Sequence, residues 1–288
     1  MTQPFIVTPG EGPLVLGMPH VGTFLPPGIA ARLNDEGRLL RDTDWHIAAL
    51  YHDLIPGLTV VQAAFHRYVI DANRDPSGQS LYPGAATTEL VPTTTFDGTP
   101  IWQQGLEPTA AEVAARLAEW HAPYHAALAD QMQRVRARHG VAILLDCHSI
   151  RSVIPRLFDG TLPDFNTGTN HGTTCDPLVE AAIAGEAAAS GRSHVLNGRF
   201  KGGWTTRHHG RPAEGCHAIQ MELAQSSHLA AETPPFALDA AKAAALRPTL
   251  ARMLRRLTDL APHLAETRPA ETRPAETRPA ETPLAEKR

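Results

Sequence analysis

Long apolar runs are missing from this sequence. None approaches the roughly 18 consecutive apolar residues that a membrane-crossing helix needs. The opening residues, MTQPFIVTPGEGP, carry neither a positively charged start nor an extended apolar stretch, so no secretory signal is expected. Cysteine is scarce: Cys147, Cys175 and Cys216 are scattered, odd in number and form no C-x-x-C pair. That argues against a disulfide framework and a thiolate zinc cluster, and suits a reducing cytoplasm. Charge of one sign does not accumulate either. A net charge of -4 without a basic stripe leaves nucleic-acid binding no electrostatic footing. Also absent are H-E-x-x-H, the G-x-S-x-G nucleophile elbow, the P-loop and G-x-G-x-x-G. The expectation is a cytoplasmic globule that engages neither membrane nor nucleic acid; its oligomeric state is left open.

What is present is ordinary in bulk, with 288 residues, 42% hydrophobic and 19% charged, enough to bury a sizeable core. Histidine is the outlier, with 15 copies, which raises the prospect of metal or proton chemistry. From Ala265 to Pro283 the chain repeats AETRP with no apolar residue larger than alanine. Such a segment cannot bury enough surface to offset its ordering entropy. A single domain over residues 1–264 and a disordered, non-catalytic tail over 265–288 are therefore expected.

Strands and helices alternate before the tail. PLVLGM (Pro13 to Met18), TVVQAAF (Thr59 to Phe65), RYVIDAN (Arg67 to Asn73) and the apolar run from Val141 to Leu145 read as strands, and CHAIQMEL (Cys216 to Leu223) alternates like one. Helical patterns run from the capping box Thr109-Ala110-Ala111-Glu112 to His139, divided at Pro123. They recur from Asp176-Pro177 to Gly191, and over about Leu238 to Leu257 with an interruption near Pro248. Strands joined through helices imply an α/β fold with helices on both faces of the sheet. Long Gly/Pro-rich loops are expected over 75–108, 150–175 and 192–215.

Ligands of open α/β sheets gather beyond the carboxyl ends of the strands. Here those ends carry His20; Asp71, Asn73 and Arg74; Asp146 and His148; and Glu222. Asp146 and His148 are two apart and share a face, while Cys147 points into the core. Taken alone, the pair reads more readily as a polar plug closing a strand. Four chemically loaded strand ends together read as a site. Two histidines and a carboxylate are a common ligand set of catalytic zinc. His20 and His148 are the natural imidazoles, and RDTDWH offers Asp44, with Asp42 as the alternative; one of the two could instead cap the following helix. Glu222 would be the general base, or a buried glutamate paired with an arginine. Arg74 and Arg207, the latter in the glycine-rich FKGGWTTRHHG, would suit a substrate bearing two carboxylates.

The blocks MPHVGTFLPP, DTDWHIAALY, RYVIDANRDPSGQSLYPG, TTTFDGTPIW, LLDCHSIRSVIPRLFDGTLPDFNTGT, LNGRFKGGWTTRHHG and HAIQMELAQ resemble the N-formylglutamate deformylase (N-formylglutamate amidohydrolase) family over roughly residues 5–235. The resemblance implies hydrolysis of N-formyl-L-glutamate to formate and L-glutamate, the last step of one histidine-degradation route. More distantly the pattern is similar to zinc carboxypeptidases and aspartoacylases. That likeness implies a three-layer α/β/α architecture with a mixed, mostly parallel sheet of the phosphorylase/hydrolase type. It also implies His20, Asp44 and His148 as ligands of one zinc ion, Asn73 and Arg74 as a carboxylate clamp and Glu222 as the base. Asp146 would support the metal or the chemistry, and Arg207 would steady an oxyanion or a second carboxylate. One departure is plain. The carboxypeptidase group has a glutamate three residues after the first histidine, where this chain has Thr23, so Asp44 must supply the carboxylate from farther along. Two other readings remain: a zinc amidohydrolase acting on another acyl group of an acidic amino acid, and a non-catalytic binder of glutamate-like ligands.

Overall fold

The computed structural model describes residues 3–267 apart from 81–83 and 85. Seven strands form one sheet: β1 (Phe5–Thr8), β2 (Leu14–Met18), β3 (Thr59–Ala63), β4 (Ala142–Ile150), β5 (Phe165–Gly168), β6 (His194–Leu196) and β7 (Cys216–Ala224). Their spatial order is β1-β3-β2-β4-β7-β5-β6. The central β3-β2-β4-β7 pairings are parallel and β5 also pairs parallel with β6, whereas β1 and β5 join β3 and β7 antiparallel. This is the mixed, mostly parallel sheet expected. Both central strands β4 and β7 are buried along their whole length, as a sheet covered on two faces requires.

The helices are α1 (Pro27–Ala30), α2 (Asp35–Arg38), α3 (Ile47–Tyr51), α4 (Ala110–Arg116), α5 (Ala122–His139), α6 (Pro177–Ala189), α7 (Trp204–His209) and α8 (Ala240–Thr267). Side-chain alternation along the sheet divides the core in two. Leu16, Leu145, Cys147, Ile219 and Met221 pack with α3, α6 and α8. Val15, Ala142, Leu144 and Ala218 face the other way, onto Tyr124, Leu128, Met132 and Val135 of α5. Cys147 thus points into the core, as its parity predicts.

Several elements differ from expectation. Arg67–Asn73 is a buried turn, not a strand: Val69 N donates to His66 O, and Asp71 N reaches Leu90 O instead of a strand partner. Its apolar residues Tyr68, Val69 and Ile70 are buried in the core cluster shared with β2, β3 and α5, so burial rather than pairing explains the hydrophobic run. β5, β6 and α7 lie inside stretches expected to be loops. Between α4 and α5 the chain makes one π-helical turn, Leu117–His121, and Pro123 enters at the start of α5. Asp239 caps α8, which continues through Pro248 and Pro262 to Thr267. Its buried stripe of Leu246, Leu250, Leu254, Leu257 and Leu264, at about 1.5–3 kcal/mol each, outweighs about 3 kcal/mol per internal proline. Ala265–Thr267 therefore belong to this helix. The rest of the expected tail lies outside the described residues.

Candidate active site

β4 and β7 run in register, so His148 lies beside Glu222 and Asp146 beside Gln220. These four side chains share the α5 face of the sheet, beyond the point where α5 covers it. Next to β4, His20 follows β2 directly, because parallel pairing brings both strands to the same end. Asp44 is 24 positions farther along, yet its N–H donates to His20 O at 3.0 Å. That single backbone bond folds the RDTDWH turn back onto the first histidine.

The imidazoles of His20 and His148 and the Asp44 carboxylate form a tight group, with one donor atom from each all within 4.8 Å of one another. All three side chains are buried. Asp44 Oδ2 is 3.0 Å from His148 Nδ1 and 3.6 Å from His20 Nδ1. The far nitrogens meet carboxylates: His20 Nε2 is 2.7 Å from Asp71 Oδ1, and His148 Nε2 is 3.0 Å from Asp146 Oδ1. Carboxylates behind ligating histidines fix the ring and raise its basicity. His20 Nδ1 is buried without a hydrogen-bond partner and faces Asp44, an arrangement that a divalent cation satisfies. The donor set therefore fits a metal ion, in the manner of two imidazoles and one carboxylate.

Asp42 is occupied elsewhere. Its Oδ2 accepts from the Tyr68 hydroxyl and from Phe96 N, both at 3.0 Å. It caps no helix, since the residue at the cap of α3 is His46, in the left-handed region. Burial pushes the Asp42 carboxyl up to about 6, against the pull of Arg67 and Arg151. For Asp71, burial works against ionisation, but Arg74, His20 and Arg67 outweigh it and hold the carboxyl well below the usual range. For His148, burial opposes the charge and is outweighed by Asp146 and Asp44, which hold the imidazole well above its ordinary value. Glu222 behaves oppositely to Asp71. Burial pushes its carboxyl up to about 8; Asp44 and Asp146 add to this, and His148 and Arg67 oppose it. Gln220 Nε2 donates to Glu222 Oε2 at 3.0 Å.

The group lies against a cavity of about 300 Å³ whose walls include His20, His148, Glu222, Asn73 and Arg74. Asn73 is held by the backbone of α7: its Oδ1 accepts from Thr205 N at 2.9 Å. A Cβ at residue 203 would lie 2.3 Å from Asn73 Nδ2, so only glycine fits there. Arg74 is braced by Thr88, whose carbonyl and hydroxyl accept from Nε and Nη2.

The structure does not bring Arg207 to the described cavity wall. It sits on α7 with Nε donating to Gly202 O at 2.9 Å. Arg67, which the sequence pattern presents as a strand residue, lines the cavity instead. Its guanidinium reaches Asp44 Oδ1 at 3.1 Å and Asp71 Oδ2 at 3.6 Å, and its buried Nε has no hydrogen-bond partner. Arg199 also lines the wall. Gln220 was legible in principle, being two residues before Glu222 on the same strand. Thr206, which donates to Asp146 Oδ2 at 2.9 Å, carried no sequence signal.

Such a site, two imidazoles and a carboxylate able to hold a cation beside a buried glutamate at strand ends, belongs to the hydrolase class of α/β folds. The chain is a member of the N-formylglutamate amidohydrolase family, whose model matches residues 12–229. An N-formylglutamate deformylase of Pseudomonas aeruginosa is 48% identical over 252 residues, covering 86% of this chain and 93% of that protein. One from Pseudomonas putida is 49% identical over 231 residues, covering 79% and 85% respectively. A crystal structure of N-formylglutamate amidohydrolase from Ralstonia eutropha JMP134 superposes with a TM-score of 0.71 at 29% identity, over 92% of this chain and 98% of that one. A solved gene product of Agrobacterium tumefaciens, 18% identical with a TM-score of 0.62, shares the fold over 90% of this chain and 96% of its own.

Proposed function

We propose that this chain hydrolyses N-formyl-L-glutamate to formate and L-glutamate, the closing step of a histidine-degradation route, with one zinc ion held by His20, Asp44 and His148. The observation that carries the reading is the buried Glu222 in register with His148, beside the cation-fitting group and open to a cavity sized for a small amino-acid derivative. When bound, the ion supplies Lewis acidity to the formyl carbonyl and to the attacking water. Glu222 takes a proton from that water as its oxygen bonds to the formyl carbon, and returns the proton to the nitrogen as the C–N bond breaks. A carboxyl held near neutrality suits this double duty. Arg67, which lines the cavity, takes over from Arg207 the steadying of negative charge on the former carbonyl oxygen. Arg74, with Asn73, holds a substrate carboxylate, so binding energy far from the amide positions it. Asp71 and Asp146 keep the two imidazoles oriented.

Formate release from N-formyl-L-glutamate, set against turnover of the N-acetyl and N-succinyl analogues, tests the reading. The formyl compound should be strongly preferred; equal turnover of a larger acyl group would reassign the substrate. Glu222→Gln should retain zinc and lower kcat by about 10²–10⁴-fold. Unimpaired turnover in that variant would remove Glu222 from the mechanism.

A further inference from the structure

Four histidines outside the metal group gather behind the clamp loop. His121 and His125 lie on one face of the α4–α5 helical run, and His208 and His209 lie on α7, with Trp204 stacked on His208 at 4.2 Å. The hydrolytic steps use none of them. His121 and His125 are both buried. His121 Nε2 lies 3.0 Å from Arg74 O, and His125 Nε2 lies 2.7 Å from Ala72 O. A carbonyl oxygen only accepts, so both Nε2 atoms carry the proton. Burial lowers the pKa of both rings and keeps them neutral, so His125 Nδ1 is a lone pair. His209 Nε2, 3.2 Å away, must then be the donor to it. Two imidazole N–H groups thus grip the carbonyls on either side of Asn73, one before it and one belonging to Arg74.

The π-helical turn explains how they reach. A third donor on the same run, Arg116 Nη1, bonds Val69 O at 3.1 Å. Arg116 and His121 are five residues apart, which on an α-helix leaves them about 140° out of line. In the Leu117–His121 turn the hydrogen bond spans five residues, with Ala122 N donating to Leu117 O. Residues five apart there therefore fall on the same side of the run, as residues four apart do on an α-helix. His125, four residues beyond, continues the same face on α5. One inserted residue sets Arg116, His121 and His125 in a row against the carbonyls of Val69, Ala72 and Arg74.

We propose that His121 and His125, aligned by the π turn, are positioning residues that hold Asn73 and Arg74 in the geometry that captures the substrate carboxylate. The proposal rests on the clamp role given to Asn73 and Arg74 under the proposed function. Leucine at 121 or 125 removes a donor. Gln at 121 places an amide N–H at about the reach of the imidazole, and Asn at 121 is polar but too short. Kinetics with N-formyl-L-glutamate and calorimetric L-glutamate binding, on zinc-loaded protein, give the readouts. His121→Leu, His125→Leu and His121→Asn should each raise KM and the L-glutamate Kd about 3- to 10-fold, the worth of one hydrogen bond, with kcat moved less than about twofold. His121→Gln should recover most of that loss. Wild-type KM and Kd in folded His121→Leu or His121→Asn protein overturn the proposal, as does a loss confined to kcat. Should the leucine variants not fold, the Asn and Gln pair decides. Arg74→Ala separates the two levels: if it raises KM and Kd and the histidine variants do not, only the positioning role fails. If it leaves both unchanged, the clamp reading itself fails.

Discussion

The two aspartates of RDTDWH, two residues apart and both buried, do opposite work. Asp44 turns its oxygens to two imidazoles and Arg67, whereas Asp42 serves the Tyr68 hydroxyl and a backbone N–H. Asp44→Asn should therefore weaken zinc binding by at least about 100-fold, measured by competition with a chelating dye, because a direct ligand is lost and outer partners alone are worth about 10–100-fold. Asp42→Asn should leave zinc affinity unchanged. Equal losses in both would mean that the group is held by the turn as a whole and not by Asp44. That His20, His148 and Glu222 gather in one place was legible from residue types at strand ends, since a polar group there interrupts an apolar pattern; Asp44 lies in a turn, and the sequence left it beside Asp42 as an open choice. Arg67 was not legible. It precedes Tyr-Val-Ile, and a charged residue ahead of an apolar run looks like the start of a strand.

Among the elements, β2 and β4 were readable from apolar runs that give way to polar residues, and β7 from its alternation. β5 and β6 were not, being three or four residues long with Asn, Thr and Gly in β5; only pairing with β7 and with each other makes them strands. The helix α7 was hidden in a glycine-rich stretch for the same reason, and tertiary contacts define it. His209 on α7 has a measurable consequence. Burial, aided by His208, lowers its pKa to about 3 from an ordinary value near 6.5, while Asp146 opposes the shift. A histidine depressed in the fold contributes stability that is complete above about pH 6.5 and is lost as pH falls toward 3. Between pH 6.5 and 5 the wild type should thus lose about 2 kcal/mol relative to His209→Gln, read from urea unfolding at the two pH values. A difference that does not change with pH would show that His209 titrates normally.

At the scale of the molecule, the α/β class followed from alternation of strand and helix patterns. The strand order did not follow, because which strands pair across a sheet is decided by contacts far apart in sequence; the mixed, mostly parallel character came only from the family likeness. The repeat after Thr267 stands apart from this architecture in composition, and the described cavity is lined from residues no later than Glu222. A chain ending at residue 267 should keep the kcat and KM of the full chain in the formate assay; a fall in either would give the tail a part in catalysis. No helix among the described residues is long and apolar enough to cross a membrane. The central claim, that His20, Asp44 and His148 hold a zinc ion on which hydrolysis depends, has one direct measurement: formate release from N-formyl-L-glutamate after chelation and after zinc is restored. Activity should disappear as the metal content falls to zero and return in proportion to zinc, levelling at one ion per chain. Undiminished formate release from protein shown to be free of metal would contradict the claim.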